Sequence, residues 1–369
     1  MRKTLSVVPL LLCGFFMQAQ STKYNLIIGA FNAQCDSNGV SIYEFNSETG
    51  DFKFRSESEK IVNPSFLTVS SDNKFVYTVN SDNANGAVTA FGYDSKAGKL
   101  NLLNQQKTTS ADPCYITDDD KFVYTANYGG GSITAFEKNN DGSLSAVKQL
   151  EQHIGKGPNV VRQEKAHLHM VQFSPDKKYL LGTDLGSDKV YSYVVNADEE
   201  KPLELKVAND IKSGSGPRHF VFSKNGKKLY LLHELDGTLS VFNFKKGKLS
   251  LKQEQTVLAP GFEGEFSAAD IHISPDEKFL YATNRAVAND ISCFKILKNG
   301  NLEFVERIST QGDGPRNFAI DPTGNFLLIG HQYTNTVIIF KRDKETGKLT
   351  DTGKKIELCS PVCLVFTEI

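Results

Sequence analysis

The chain has 369 residues, 39% hydrophobic and 23% charged, an ordinary globular composition with length enough for a large core. Its formal net charge of −1 aims no strong field at nucleic acid or at an anionic membrane. Trp is absent, which excludes the WD-repeat signature, whereas 25 Phe, 13 Tyr and 29 Gly suit many short strands joined by turns.

Residues 1–20 read as a secretory signal. Arg2 and Lys3 form a short positive segment, Leu5 to Met17 is apolar, and Gln18-Ala19-Gln20 loosely matches a cleavage site. The apolar run is too short to span a bilayer. Cys13 follows Leu12 rather than a small residue, so a lipid anchor is not expected. A buried first strand or helix is the alternative. The expected mature protein is exported, periplasmic or secreted, after cleavage near Ala19-Gln20, with no membrane insertion and residues 21–369 forming one domain. Loss of Cys13 leaves Cys35, Cys114, Cys293, Cys359 and Cys363, an odd number that argues against a disulfide scaffold. Cys359 and Cys363 are near enough in sequence to pair, although an intervening strand or turn could hold them apart. No C-x-x-C metal knuckle occurs.

Three short strands come first, from Leu26 to Phe31, Val40 to Phe45 and Phe52 to Arg55. A pattern then recurs at intervals of 47 to 55 residues. The first copy runs Pro64-Ser65-Phe66-Leu67, then Ser71-Asp72-Asn73-Lys74, a strand from Phe75 to Asn80, a strand from Ala87 to Phe91, and Gly98-Lys99-Leu100 opening a fourth strand. Later copies start at Pro113, Leu168, Pro217, Ala268 and Pro315. Apolar and polar residues alternate at period two within each copy, the pattern of strands. Four strands in 40–50 residues describe a propeller blade. Six copies leave the three N-terminal strands and one strand after Pro361, which together make a seventh. The predicted fold is all-β, a seven-bladed β-propeller closed by N-terminal strands plus one C-terminal strand in a shared blade, which removes open sheet edges. A β-solenoid or a pair of sandwiches is the competing architecture.

In such a blade the start of the first strand and the end of the second meet at one rim of the central channel. One residue after the Pro, the copies read Ser65, Cys114, His169, Arg218, Ala269, Arg316 and Val362; one residue past the end of the second strand they read Ser81, Tyr128, Leu185, Glu234, Arg285 and Gln332. Purely structural positions would repeat, and these do not. His169, Arg218, Glu234 and Arg285 are the predicted catalytic group. His167, Asp184, His233, Asp270, His272, Asn284, Arg316 and Gln332 are predicted to surround it and bind substrate, although loop hydrogen bonding is the preferred reading of His167, His219 and His272.

These residues resemble the 6-phosphogluconolactonase type of seven-bladed propeller, which also includes fungal carboxymuconate cyclases. The resemblance rests on His167-Leu168-His169, Asp184-Leu185-Gly186-Ser187-Asp188, Gly216-Pro217-Arg218-His219, Ala269-Asp270-Ile271-His272, Thr283-Asn284-Arg285 and the run from Gly314 to Pro322. It covers the chain from about residue 24 to its end. It implies action on sugar lactones, or formation of lactones from muconates, with no metal or other cofactor, and it implicates the same His169, Arg218, Glu234 and Arg285. This sequence departs from the family pattern at Asp270 and Ser81, where Glu is frequent, at Ala286, where Gly is frequent, and at His331, where Asn is common.

For lactone opening, His169 is the expected base because imidazole titrates near neutrality. Arg218 and Arg285 would hold the oxyanion or a substrate phosphate or carboxylate. Glu234, kept ionised by its cationic neighbours, would orient them. Other chemistries find little support. There is no G-x-S-x-G elbow or H-E-x-x-H, Gly129-Gly130-Gly131 lacks a P-loop Lys, and Asp118-Asp119-Asp120 reads as a solvated turn. Asn80, Asn127, Asp184 and Asn284 could face a Ca²⁺, but strand-end capping is the preferred reading. A muconate-type cycloisomerase and a non-catalytic binding propeller stay open as alternatives. The expected partner is a small lactone rather than nucleic acid, and the expected state is a monomer or weak dimer.

Overall fold

The computed structural model describes residues 22–369 except 34, 36 and 197–199. The signal segment read at residues 1–20 lies outside the described residues. Among the described residues there are twenty-eight strands and no helix, arranged as seven four-stranded antiparallel sheets.

The inner strands start at Leu67, Pro113, Leu168, Pro217, Phe266, Pro315 and Pro361. Each packs on the inner strands of both flanking blades, and Pro361–Glu368 packs on Leu67–Val69, so the ring closes. The seventh blade is the shared one. Its inner strand Pro361–Glu368 pairs with Lys23–Ala30, Val365 opposite Ile27 and Leu364 opposite Ile28, and Ser41–Asn46 and Phe52–Glu57 complete the sheet. The arithmetic of three orphan strands plus one therefore holds.

Burial explains the repeat. The second strand of each blade is covered on both faces by neighbouring blades, so it reads as an apolar run, as in Phe122–Asn127 and Phe326–His331. The outermost strands, such as Lys99–Lys107 and Lys248–Thr256, face water and carry Lys, Gln and Asn. Second-strand tyrosines reach the next blade. Tyr77, Tyr230 and Tyr281 donate their hydroxyls to the carbonyls of Gly142, Gly300 and Gly347 at 3.0, 2.9 and 2.6 Å, which ties each turn to its neighbour. The Ser-x-Asp turn is also explained: Ser174 donates to Asp176 at 2.7 Å while accepting from the Tyr179 amide at 3.1 Å.

The cysteine pairing, left open by the sequence, takes a different partner. Cys359 is bonded to Cys35, with Cα atoms 6.1 Å apart and a sequence separation of 324. Cys363 stays a buried free thiol, as does Cys293. The reason is the strand beginning at Pro361: it carries Cys363 into the ladder opposite Gly29, while Cys359 remains outside it beside the loop that follows the first strand. The disulfide thus fastens the two chain ends that share the seventh blade.

Candidate functional site

The rim positions owe their special direction to a β-bulge. Pro113 pairs with Asn127, Leu168 with Asp184, Pro217 with His233 and Pro315 with His331, and in each blade the register slips at the next residue. The slipped residues are Cys114, His169, Arg218 and Arg316. A bulged residue leaves the ladder and its side chain is re-aimed, here toward the channel mouth. In blade five the slip spans Ala269 and Asp270.

Glu234, 3% exposed, is the hub of the cluster. Its amide donates to the Gly216 carbonyl and its carbonyl accepts from the Ala268 amide, so two blades fix its backbone. Arg162 Nη2 donates to Oε1 at 2.6 Å. Arg218 Nε stands 3.0 Å and Arg285 Nη2 3.3 Å from Oε2. The Arg218 contact is ionic rather than a well-aimed hydrogen bond. Arg218 Nη1 donates to the Ala269 carbonyl, and Arg285 is held twice by Ser267, through Nη2 to Oγ at 2.7 Å and through Nε to the carbonyl at 3.2 Å. His169 Nε2 is 3.9 Å from Glu234 Oε2, beyond direct hydrogen-bond range. The four residues predicted as a group are therefore together. His169, Glu234 and Arg285 border a cavity of about 280 Å³, also lined by Phe31, Ser81, Asp112, Cys114, Tyr128, Arg162, Ser267 and Arg316, whereas Arg218 lies behind Glu234 and lines a small void beneath it.

The electrostatics follow from burial and the crowd of cations. Burial raises the Glu234 pKa, but Arg285, Arg218 and Arg162 outweigh it and hold the carboxyl well below the usual carboxylate range. Burial, reinforced by Arg218, depresses His169 well below its ordinary value, so it is neutral at physiological pH. That departs from the expected near-neutral titration: the bulge encloses the ring beside guanidiniums. Arg218 is pushed down to about 9 by burial and by Arg285 and Arg316, and remains a cation at neutral pH. Burial lifts the Cys114 thiol to about 12, so the sulfur 4.0 Å from His169 Nδ1 is no thiolate nucleophile.

The surrounding candidates separate. Arg316 lines the cavity and lies over the Phe31 ring, 5.2 Å from its centroid. Gln332 lies in an adjoining cleft with Phe31 and Tyr333. His167 stacks on Tyr128 and bonds its carbonyl and Glu164, as the loop reading expects. Asp184 accepts from the His167, Gly186 and Ser187 amides, His233 is bracketed by Ser215 and Ser240, and Asn284 accepts from the Ser267 amide. These three fasten strand ends and do not line the cavity.

Asp270 and His272 depart further from the single-rim expectation. Asp270 accepts from His219 Nδ1 at 2.8 Å, His272 Nε2 at 2.9 Å and Asn317 Nδ2 at 2.6 Å. It lines a different cavity of about 330 Å³, with Gln172, Phe220 and His272, farther along the inner strands. Between the two cavities lies a void of about 10 Å³ among Phe66, Cys114, Arg218 and His219. Asp270 stands one residue beyond Ala269, as His219 stands beyond Arg218 and Asn317 beyond Arg316, so its carboxylate lies farther along the inner strand than the rim.

Arg162 was missed by sequence reasoning. It stands on the connection from 153 to 167, which has no counterpart in the repeat, so no series of equivalent positions contains it. The available signal was the longest interval, 55 residues, between the second and third copies. The connection lies close against the blade: a Cβ on Gly186 would come within 1.9 Å of the Lys165 carbonyl, so only glycine fits there.

Comparison with known proteins agrees with this geometry. Residues 25–366 match the family described as Lactonase, 7-bladed beta-propeller. A relative from Formosa agariphila named 6-phosphogluconolactonase is 39% identical over 88% of this chain and 94% of its own. One of the same name from Bacillus subtilis is 33% identical over 94% of this chain and 99% of its own. The structure of the periplasmic gluconolactonase PpgL from Pseudomonas aeruginosa superposes with a TM-score of 0.89 at 33% identity, covering 94% of this chain and 99% of that one. The bulged ring, the closing strand and the residue pattern along the rim thus have one source: this chain belongs to the seven-bladed β-propeller lactonase family.

Proposed function

We propose that the protein hydrolyses an aldonolactone, 6-phosphogluconolactone or a related exported sugar lactone, at the cavity around Glu234. The observation that carries this reading is a neutral imidazole beside clustered guanidiniums, in a space that suits one sugar ring. Relatives bearing the name 6-phosphogluconolactonase and the neighbour named gluconolactonase support the substrate class.

In the proposed reaction water attacks the lactone carbonyl while His169 takes its proton. The carbonyl oxygen becomes an oxyanion, which Arg285 and Arg218 stabilise. Collapse breaks the bond from the carbonyl carbon to the ring oxygen, and the imidazolium returns its proton to the departing alkoxide. The products are a hydroxyl and a carboxylic acid, which ionises. Glu234 remains a carboxylate throughout and keeps the arginines convergent. Their positive charge meets the demand of the oxyanion without a cofactor.

We further propose that the chain works outside the cytoplasm. The Cys35–Cys359 bond fits an oxidising compartment, and the apolar segment behind Arg2 and Lys3 fits a secretory leader.

The test is the rate of opening of 6-phosphogluconolactone and glucono-1,5-lactone by mature protein in EDTA, with spontaneous hydrolysis subtracted, beside His169→Ala and Arg285→Ala. Acceleration that both variants lose is the expected result. Acceleration retained within a few-fold by His169→Ala would remove its role as base, and no acceleration on either lactone would overturn the reading.

A further inference from the structure

We propose that Arg162 is a movable anion-binding arm that leaves Glu234 for an anionic group on the substrate and makes the site prefer a phosphorylated lactone. This rests on the lactonase reading above and assigns the source of its selectivity.

The four arginines at the cluster are held very differently. Arg218 is buried and spends a guanidinium nitrogen on the Ala269 carbonyl. Arg285 is clamped by Ser267, and Arg316 lies on Phe31. The Arg162 side chain is 39% exposed, against 2% for Arg218 and 12% for Arg285. Its guanidinium contacts are Glu234 Oε1 and the Tyr128 hydroxyl, 3.3 Å away. Both lie at the cavity wall.

Its backbone, by contrast, is fixed. The amides of Val161 and Arg162 donate to Asn159 Oδ1, and the buried neighbour Gln163 donates to the Leu185 carbonyl at 2.9 Å. Motion is therefore confined to a flexible side chain on a rigid base.

Charge balance makes the exchange feasible. Arg162, Arg218, Arg285 and Arg316 face two carboxylates, Glu234 and Asp112. With His169 neutral, the empty site carries an excess of two positive charges, which a phosphate monoester dianion would offset. Departure of Arg162 does not strand Glu234, because Oε2 keeps Arg218 and Arg285; the penalty of a buried unpaired carboxylate is thereby avoided. A planar guanidinium is also well shaped for two-pronged contact with phosphate.

The experiment compares wild type, Arg162→Ala and Arg162→Lys on 6-phosphogluconolactone and glucono-1,5-lactone, with calorimetric binding of 6-phosphogluconate and gluconate alongside. Expected for Arg162→Ala is a fall of about 10- to 100-fold in the preference for the phosphorylated over the plain lactone, read as the ratio of their kcat/KM values and carried by KM on the phosphorylated one. Weakened 6-phosphogluconate binding should accompany it, with partial recovery in Arg162→Lys. Equal losses on both lactones would make Arg162 a structural prop of Glu234 and overturn the proposal, as would unchanged selectivity. If wild type opens neither lactone, the hydrolase reading fails by itself, and the binding comparison decides for or against the arm.

Discussion

Arg218 and Glu234 leave the same blade one residue beyond a single register pair, Pro217 opposite His233, and meet with Nε 3.0 Å from Oε2. One bulge and one strand end thus supply both halves of a buried ion pair. Such a pair is costly to break, because its partner is left charged and desolvated.

Glu234→Gln should therefore lose stability as well as activity. It leaves Arg162, Arg218 and Arg285 facing one another without their carboxylate, a change expected to cost about 3 kcal/mol. Added phosphate should restore part of that loss by occupying the vacated position, and should raise the melting temperature of the variant more than that of wild type. Thermal unfolding with and without phosphate checks this. An equal response in the two proteins would mean that the arginines do not converge on an anion site.

The pH dependence has a definite sign. A base must be unprotonated to act, and His169 is held neutral well below 6.5 by burial and Arg218. The activity should stay flat as pH falls from about 7.5 to 5.5, with its acid limb lower still. A kcat/KM profile on glucono-1,5-lactone, which has no phosphate titrating in this range, corrected for spontaneous opening, reads this directly, and a limb near the ordinary imidazole value would exclude His169 as the base.

Stability should decline in the same acid range. His153, His233 and His331 are depressed by burial to about 4, His219 to about 3, and His169 is also lowered. Below 6.5 the unfolded chain binds protons that the folded chain refuses, so stability falls as pH drops. Each group contributes up to ~1.4 kcal/mol per pH unit until its folded pKa is reached. His272 opposes the trend: Asp270 overcomes the burial penalty and raises its pKa, so its contribution is present at low pH and is lost on the alkaline side. Denaturant titrations from pH 7 to 4.5 should show a net loss.

The ring was legible because seven similar burial problems produce seven similar strings. A second strand packed on both faces needs an apolar run, and a hairpin needs Gly or a Ser-x-Asp turn. The rim was legible because it breaks that repetition: His169, Glu234 and Arg285 line one cavity, and Arg218 contacts Glu234 from behind it. The bulge was not legible, because it is a property of register rather than composition. Asp270 and His272 follow the re-aimed position along the inner strand, and nearness in sequence did not separate that deeper level from the rim. Arg162 has no equivalent in other blades to be contrasted with, and the Cys35–Cys359 pairing depends on which loops the closed ring brings together.

That disulfide gives a separate prediction. It closes a loop spanning almost the entire chain, so its loss should greatly enlarge the freedom of the unfolded state, by about 2–5 kcal/mol. Cys35→Ser should melt earlier, and amide exchange should rise first in Lys23–Ala30 and Pro361–Glu368, the strands that close the ring. Activity at moderate temperature should survive, since neither cysteine belongs to the arginine cluster. Exchange that accelerates equally in all seven blades would contradict a local role for the bond.

Ala286 offers the opposite case, a position where a residue should be removed to gain stability. It follows Arg285 and has a φ of +61°, a left-handed conformation that costs an L-residue with a Cβ about 1–2 kcal/mol. Glycine adopts this backbone angle without that cost. Ala286→Gly relieves the steric cost but gives the unfolded chain more freedom, worth about 0.5–1 kcal/mol. The balance is a gain of about 0.5–1 kcal/mol. Because Arg285 is separately clamped by Ser267, lactone opening should change little. A lower denaturation midpoint in Ala286→Gly would show that this turn is not strained, and a large fall in kcat would show that Ala286 helps aim the guanidinium.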